Sequence, residues 1–218
     1  MAEKLVIGLI GGLGSGKSRV AAELEKHGAR VINADALGHE ALRQPDIREQ
    51  LVERWGKEVL DDNGQFIRAS VARIVFADAA ERRFLEKLVH PYIGRRLREE
   101  FDAAQAPLVV LDAAIMLEAG WNNVCDWLVY VHAPREVRLQ RLAQQRGWSA
   151  KEVEARERAQ LSLTAKATRA DYAVDNSGPP EHLARQIRDL VREWGGAVPV
   201  GEGRSPAKEV LSWVNDAS

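Results

Sequence analysis

Short apolar runs alternate with helical patterns at the start of the chain. Leu5–Ile10 is an apolar run that ends in glycines, and Val31-Ile32 is a second, shorter one. Between them, apolar residues recur at helical spacing over residues 17–27, and Gly28 marks the end of that helix. The pattern therefore predicts a β-α-β unit of a parallel sheet that is covered on both faces.

After the second strand the pattern changes to charged helices. Residues 37–105 have helical periodicity and contain no clear strand. Because this stretch is too long for an ordinary crossover, it predicts a helical insertion on the core sheet. Further strands are predicted at residues 108–111, 127–131 and 172–174. Further helices are predicted at residues 135–146, after the capping box Ser149–Glu152, and from Pro180 to Trp194. The Gly/Pro-rich residues 195–206 predict a loop, and 208–214 a short helix within a C-terminal tail at 201–218.

Length and composition fit one soluble globular domain with insertions. The chain has 218 residues, of which 45% are hydrophobic and 29% are charged. The formal net charge of -1 argues against a general nucleic-acid or membrane partner, because such partners demand a basic excess. A single cysteine, Cys125, cannot build a disulfide framework and favours the reducing cytoplasm. The first apolar run is too short for the core of a signal peptide.

Residues 11–18 carry the motif with the most specific chemistry. They read Gly-Gly-Leu-Gly-Ser-Gly-Lys-Ser, which fits the Walker A pattern, and they lie between a predicted strand and a predicted helix. Glycines let backbone N–H groups approach phosphate oxygens, and the helix N-terminus adds its dipole. Lys17 would reach the β- and γ-phosphates, and Ser18 would ligate Mg²⁺. The nucleotide-binding residues predicted from the loop are Gly12, Leu13, Gly14, Ser15, Gly16, Lys17 and Ser18.

Two carboxylates follow predicted strands and are candidates for the chemistry of transfer. Asp112 ends the run at 108–111 as in a Walker B segment, so it could hold Mg²⁺; the alternative is a helix or turn cap. Asp35 follows the second strand, where a carboxylate could accept the proton of an attacking hydroxyl; the alternative is an N-cap of the next helix. Position alone leaves both roles open for each residue.

Basic residues recur along the helix predicted at 135–146 and beyond it. Phosphoryl transfer needs cations over the transferring group, often on a mobile segment, but a basic helix is more often a solvated face. His90 and Pro91 stand in the helical insertion. A lone histidine there is usually structural, and the proline predicts a helix boundary or kink.

The ordered set of motifs resembles the dephospho-coenzyme A kinase family over roughly residues 5–195. The matching positions are the loop at 11–18, Ala34-Asp35, His90-Pro91, Met116-Leu117-Glu118, Arg141, Arg146, Gln160, Lys166, Ala170-Asp171 and Asn176. The loop alone is generic to P-loop proteins, whereas the ordered set is far more specific. The chain departs from the family pattern at Arg19, Asn33 and Ile115-Met116.

This resemblance implies that ATP phosphorylates the ribose 3′-hydroxyl of dephospho-CoA, which is the last step of coenzyme A synthesis. It also implies an α/β P-loop NTPase three-layer fold with a parallel sheet. Its core would be about 1–36, 106–134 and 170–200, its helical substrate-binding insertion about 37–105, and its helical lid about 135–169.

The motifs and the resemblance together assign roles to residues. Catalytic roles fall to Asp35, Lys17 and Arg141, and further ATP-binding roles to Arg19, Arg146 and Asn176. Asp35, His90 and Glu118 would bind the substrate, and Ser18 and Asp112 would hold the metal. The cofactors implied are ATP and Mg²⁺.

Another P-loop metabolite kinase is the main alternative function, because it shares the loop and lid chemistry. A GTPase is disfavoured, since the chain has no Asn-Lys-x-Asp segment and no Asp-x-x-Gly at Asp112. The near-neutral charge counts against a nucleic-acid-binding ATPase. The expected partner is therefore a small-molecule substrate, and no nucleic-acid or membrane partner is expected. The expected location is the cytoplasm. The oligomeric state stays open, and a monomer is one possibility.

Overall fold

The computed structural model describes residues 4–196, which belong to two compact units. Of the described residues, the first unit contains 4–32 and 104–196, and the second contains Asn33–Ala103. The helix predicted at 208–214 and the tail at 201–218 lie outside the described residues.

A five-stranded sheet forms the centre of the first unit, and its strands appear in chain order as β1 (Leu5–Gly11), β2 (Arg30–Asn33), β3 (Leu108–Asp112), β4 (Trp127–His132) and β5 (Tyr172–Asp175). Their order across the sheet is β2-β3-β1-β4-β5. The pairings of β1 with β3 and β4, and of β4 with β5, are parallel. Each predicted apolar run is therefore a strand, and the predicted α/β fold with a parallel sheet is confirmed.

The helices within residues 4–196 are α1 (Lys17–Glu25), α2 (Ala34–Ala41), α3 (Pro45–Trp55), α4 (Arg68–Ala77), α5 (Ala79–Ala103), α6 (Arg135–Arg146), α7 (Ala150–Glu157), α8 (Leu163–Ala167) and α9 (Pro180–Gly196). Short 3₁₀ turns occur at Lys57–Val59 and Trp121–Val124. The predicted capping box is present, because the side chains and backbone groups of Ser149 and Glu152 bond reciprocally. None of these described helices combines the length and apolar character that crossing a bilayer requires.

The core of the first unit lies between the sheet and the helices α1 and α9. Alternate residues of β1 point to this face, as the two-residue period of a strand requires. The buried members of this core are Ile7, Leu9, Val20, Ala21, Leu24, Ala29, Val110, Val129, Val131, Val174, Leu183, Ile187 and Trp194. This packing holds α1, and with it the end of the loop after β1, firmly on the sheet.

Gly8 of β1 faces the other side of the sheet, where neighbouring side chains approach closely. A Cβ at Gly8 would lie 2.6 Å from Met116 Sδ, 2.7 Å from Leu128 Cδ2 and 2.8 Å from Cys125 Sγ. Burial raises the pKa of the Cys125 thiol to about 12, so the group is a neutral thiol at physiological pH. Its role is therefore that of a small packing residue.

Helices α2–α5 make up the second unit, in which α5 contacts α2, α3 and α4. Helix α5 has 25 residues and continues through Pro91, so of the two effects predicted for this proline the helix boundary is wrong, and the kink stays a prediction. The buried residues Val89, Tyr92 and Ile93 flank Pro91. Their burial offsets the backbone hydrogen bond that proline cannot donate.

Candidate active site

The loop that joins β1 to α1 (Gly12–Gly16) has the backbone geometry of a phosphate cradle. Gly14 and Gly16 have φ angles of 75° and 89°, which side-chain-bearing residues rarely adopt. Gly16 precedes α1 as its N-cap and supplies no side-chain hydrogen bond to the first turn. The N–H groups of that turn are therefore suited to an anion, and the helix dipole favours one there.

Lys17 and Ser18 begin α1 directly below this loop. The Nζ of Lys17 lies 3.5 Å from the carbonyl oxygens of both Gly11 and Gly12, so the side chain curls back over the loop. The Oγ of Ser18 donates a 2.8 Å hydrogen bond to Oδ2 of Asp112, which ends β3. The parallel register pairs Asp112 with Leu9 of β1, and this alignment delivers the carboxylate to the carboxyl edge beside the loop.

The Ser18–Asp112 pair has the chemistry of a magnesium site. Mg²⁺ takes hard oxygen ligands, keeps several waters, and in kinases completes its shell with substrate phosphates. One hydroxyl and one carboxylate beside a phosphate cradle match this pattern. Among residues 4–196 no group of three or more His, Cys, Asp or Glu side chains is placed to hold a metal on protein ligands alone.

Arg141 of α6 donates hydrogen bonds to the C-terminal end of the phosphate loop. Its Nη1 donates to the carbonyl oxygens of Ser15 (3.2 Å) and Gly14 (3.5 Å), and its Nη2 donates to that of Asn176 (2.6 Å). Burial lowers the pKa of Arg141, and the positive charge of Arg19 lowers it further. Two cations held near one another beside a phosphate cradle suit a polyanion such as a nucleotide triphosphate.

Asn176, which follows β5, completes this end of the loop. Its Nδ2 donates a 2.8 Å hydrogen bond to the carbonyl oxygen of Ser15, and only 1% of its surface is exposed. Within residues 4–196, the Oδ1 of Asn176 and the Oγ of Ser15 are buried and have no hydrogen-bond partner. Because buried polar atoms are normally satisfied, this corner of the site is suited to a polar ligand group.

Arg146, the second predicted lid arginine, has different surroundings from Arg141. Its guanidinium carbon lies 5.0 Å from the ring centroid of Trp148, at the end of α6. The structure thus brings Arg141 to the phosphate loop and stacks Arg146 on an aromatic ring.

Glu118 connects the loop after β3 to the segment that follows α7. Its Oε1 accepts a 2.8 Å hydrogen bond from the backbone N–H of Leu161 and lies 3.1 Å from Nζ of Lys166. The same Nζ donates to Oε1 of Gln160 at 2.9 Å. Three positions of the family pattern, Glu118, Gln160 and Lys166, are therefore one hydrogen-bonded cluster that ties the loop after β3 to the base of α8.

Asp35 and His90 belong to the second unit and are described within it. Asp35 lies in the first turn of α2, but the cap is Asn33, whose side chain accepts a 2.9 Å hydrogen bond from the N–H of Ala36. The alternative interpretation of Asp35 as the N-cap is therefore wrong. Burial lowers the pKa of His90 within α5, and the charge of Glu86 opposes that shift.

A cavity of about 300 Å³ adjoins the phosphate loop on the side of β4. Gly12 and Leu13 line it together with Arg138 of α6 and Glu157 of α7. Sequence reasoning placed Arg138 in a general row of basic residues and did not single out Glu157. The only sequence signal for Arg138 is its spacing of three residues from Arg141 on one helix. No feature of the sequence marks Glu157.

Comparison with known proteins gives a consistent family. The family model described as dephospho-CoA kinase matches residues 5–181. A dephospho-CoA kinase of Symbiobacterium thermophilum is 40% identical over 208 residues, which cover 93% of this chain and 84% of that protein. A solved structure from Thermus thermophilus is 37% identical and covers 88% of this chain and 98% of its own, with a TM-score of 0.75. A dephospho-CoA kinase structure from Campylobacter jejuni, 20% identical and covering 87% and 96%, shares the fold with a TM-score of 0.64.

Proposed function

We propose that this chain, which belongs to the dephospho-CoA kinase family, transfers the γ-phosphoryl group of ATP to the ribose 3′-hydroxyl of dephospho-CoA. The products are coenzyme A and ADP, and the reaction is the last step of coenzyme A biosynthesis. One observation carries the proposal: Lys17, Arg141 and the Ser18–Asp112 pair all converge on a single glycine-rich loop.

The loop and its cations would act on the nucleotide. Backbone N–H groups and the N-terminus of α1 would hold the β- and γ-phosphates, and Lys17 would neutralise the charge that develops between them. Arg141, with Arg19 close to it, would add positive charge over the phosphates. We assign Asn176 and Arg146 to ATP binding as well; the unpartnered Oδ1 of Asn176 supports the first assignment.

Ser18 and Asp112 would hold Mg²⁺, whose contribution when bound is to offset the negative charge of the phosphate oxygens. The 2.8 Å hydrogen bond supports this assignment, because it keeps the hydroxyl and the carboxylate oriented toward one point. The protein would contribute the hydroxyl oxygen of Ser18 and a carboxylate oxygen of Asp112, and would not supply a complete set of metal ligands.

The acceptor side of the reaction is assigned to Asp35, His90 and Glu118. Asp35 stands two residues beyond the end of β2, and we propose that its carboxylate orients the ribose hydroxyl and takes its proton. His90 and Glu118 would bind the rest of dephospho-CoA, with about residues 37–105 as the substrate-binding region and about 135–169, which include α6–α8, as the lid. We expect a cytoplasmic enzyme without nucleic-acid or membrane partners, which the net charge of -1 supports.

Product mapping tests this function. The purified protein should release ADP from ATP with dephospho-CoA and much more slowly with adenosine, AMP or a sugar, since remote contacts drive placement of the acceptor. Phosphorus NMR should locate the new phosphate on the 3′-oxygen. Lys17→Ala protein, prepared in the same way, is the control for contaminating kinases. Preference for a nucleoside or another metabolite would refute the acceptor and support the alternative of a different P-loop metabolite kinase.

A further inference from the structure

Arg138 is a buried arginine that connects α6 to both the phosphate loop and α7. Only 4% of its surface is exposed. Its Nη1 donates to the carbonyl oxygen of Leu13 at 3.1 Å and to Oε1 of Glu157 at 2.5 Å. A buried guanidinium is costly unless it is paired, so Glu157 is the counter-charge that makes this position stable.

The glycines of the loop accommodate this arginine. A Cβ at Gly12 would lie 2.9 Å from Nη1 of Arg138 and 3.0 Å from Cδ2 of Leu163, and a Cβ at Gly14 would lie 2.7 Å from the backbone oxygen of Arg138. Because the loop and α6 approach so closely, the position of Arg138 and the conformation of the loop are coupled.

Glu157, which pairs with Arg138, is the last residue of α7. Its second oxygen lies 3.1 Å from Nη1 of Arg135, so one carboxylate holds two arginines that are a turn apart on α6. Neither Arg138 nor Glu157 belongs to the motifs through which the chain resembles its family.

We propose that Glu157 is a positioning residue for the phosphates of ATP, and that it acts through Arg138 on the peptide between Leu13 and Gly14. The carbonyl of Leu13 and the N–H of Gly14 belong to one planar trans peptide and point in opposite directions. A guanidinium fixed on the carbonyl therefore sets the direction of the N–H, which in a Walker A loop is a phosphate ligand. This inference rests on the proposed use of the loop for ATP.

The test compares Glu157→Gln with a matched control on the same helix. Glu154→Gln makes the same change in an exposed pair with Arg158, whose atoms are 2.8 Å apart. Calorimetric titration measures binding of ATP, of inorganic triphosphate and of adenosine to each full-length protein. For Glu157→Gln we expect about tenfold weaker binding of ATP and triphosphate, a raised KM for ATP, and adenosine binding within about twofold of wild type. Glu154→Gln should change none of these.

A double-mutant cycle shows whether Glu157 acts through Arg138. Arg138→Met should weaken triphosphate binding on its own, and adding Glu157→Gln to it should cause little further loss. The Arg138→Met, Glu157→Gln protein leaves no buried charge unpaired, because Arg135, the other partner of Glu157, is 39% exposed. It therefore keeps the test available if Glu157→Gln alone folds poorly.

Three outcomes would overturn the proposal. They are unchanged triphosphate affinity in Glu157→Gln with only a lower Tm, tighter triphosphate binding in that variant, and additive losses in the double variant. If the wild-type protein bound neither ATP nor triphosphate, the ATP site itself would be refuted, and this inference with it.

Discussion

Replacing Gly16 by alanine tests whether the phosphate loop and Asn176 form one unit. Gly16 has a φ of 89°, and a Cβ added there would overlap Nδ2 of Asn176. That Nδ2 donates to the carbonyl of Ser15 at 2.8 Å, so the variant must either displace Asn176 or move the loop. Both responses alter the site where the nucleotide binds.

The magnitude follows from two costs. A left-handed backbone costs a side-chain-bearing residue about 1–2 kcal/mol, and loss of a buried hydrogen bond costs about 1–3 kcal/mol. Gly16→Ala should therefore lower the free energy of unfolding by about 2–5 kcal/mol. Gly28→Ala is the matched control, because Gly28 has a φ of 86° and nothing lies within 4 Å of its Cβ position. Gly28→Ala should incur only the first cost.

Denaturant unfolding and calorimetric ATP titration measure the two consequences. ATP affinity should fall by about tenfold or more in Gly16→Ala, because the loop and Asn176 cannot keep their present positions together. It should stay at the wild-type value in Gly28→Ala. Equal loss of stability in the two variants, with unchanged ATP affinity in Gly16→Ala, would refute the steric argument.

Three further changes test other parts of the molecule. Lys17→Ala should keep the fold and lower turnover by about 10² or more, since a preorganised charge is lost; near-normal turnover would contradict the phosphate site. Asp35→Asn should still bind ATP in a titration, while turnover falls by about 10² to 10⁴; an active variant would remove Asp35 from the mechanism. Hydrogen bonds from Arg54 lower the pKa of Glu81 to about 2, from an ordinary value of 4.5. Stability from this pair should therefore be present above about pH 4.5 and lost as the pH falls toward 2. In acid unfolding followed by circular dichroism, Glu81→Gln should make stability depend less on pH in this range. If the variant unfolds with the same pH profile as the wild type, the Glu81–Arg54 pair is not the source of the pH dependence.

Local patterns in the sequence predicted most of the secondary structure correctly. The helix Arg135–Arg146, the capping box at Ser149 and all five strands follow from spacing and from turn residues, because hydrophobic periodicity and caps are local properties. Two of the alternatives that the sequence left open are not found in the structure. Asn33 caps α2 in place of Asp35, since the helix begins directly after β2, and the packing of α5 prevails over the tendency of Pro91 to end a helix.

The sequence by itself determined the phosphate loop, its place between a strand and a helix, and membership of the kinase family, because each depends on residues that are close together or on ordered motifs. Only the tertiary structure decided which distant residues meet at that loop. Asp112 reaches Ser18 across 94 positions through parallel pairing of β1 and β3, and Asn176 reaches Ser15 across 161. Arg138 meets Glu157 because the turn between α6 and α7 brings the two helices together. Such contacts depend on how elements pack, and no periodicity along the chain records that packing.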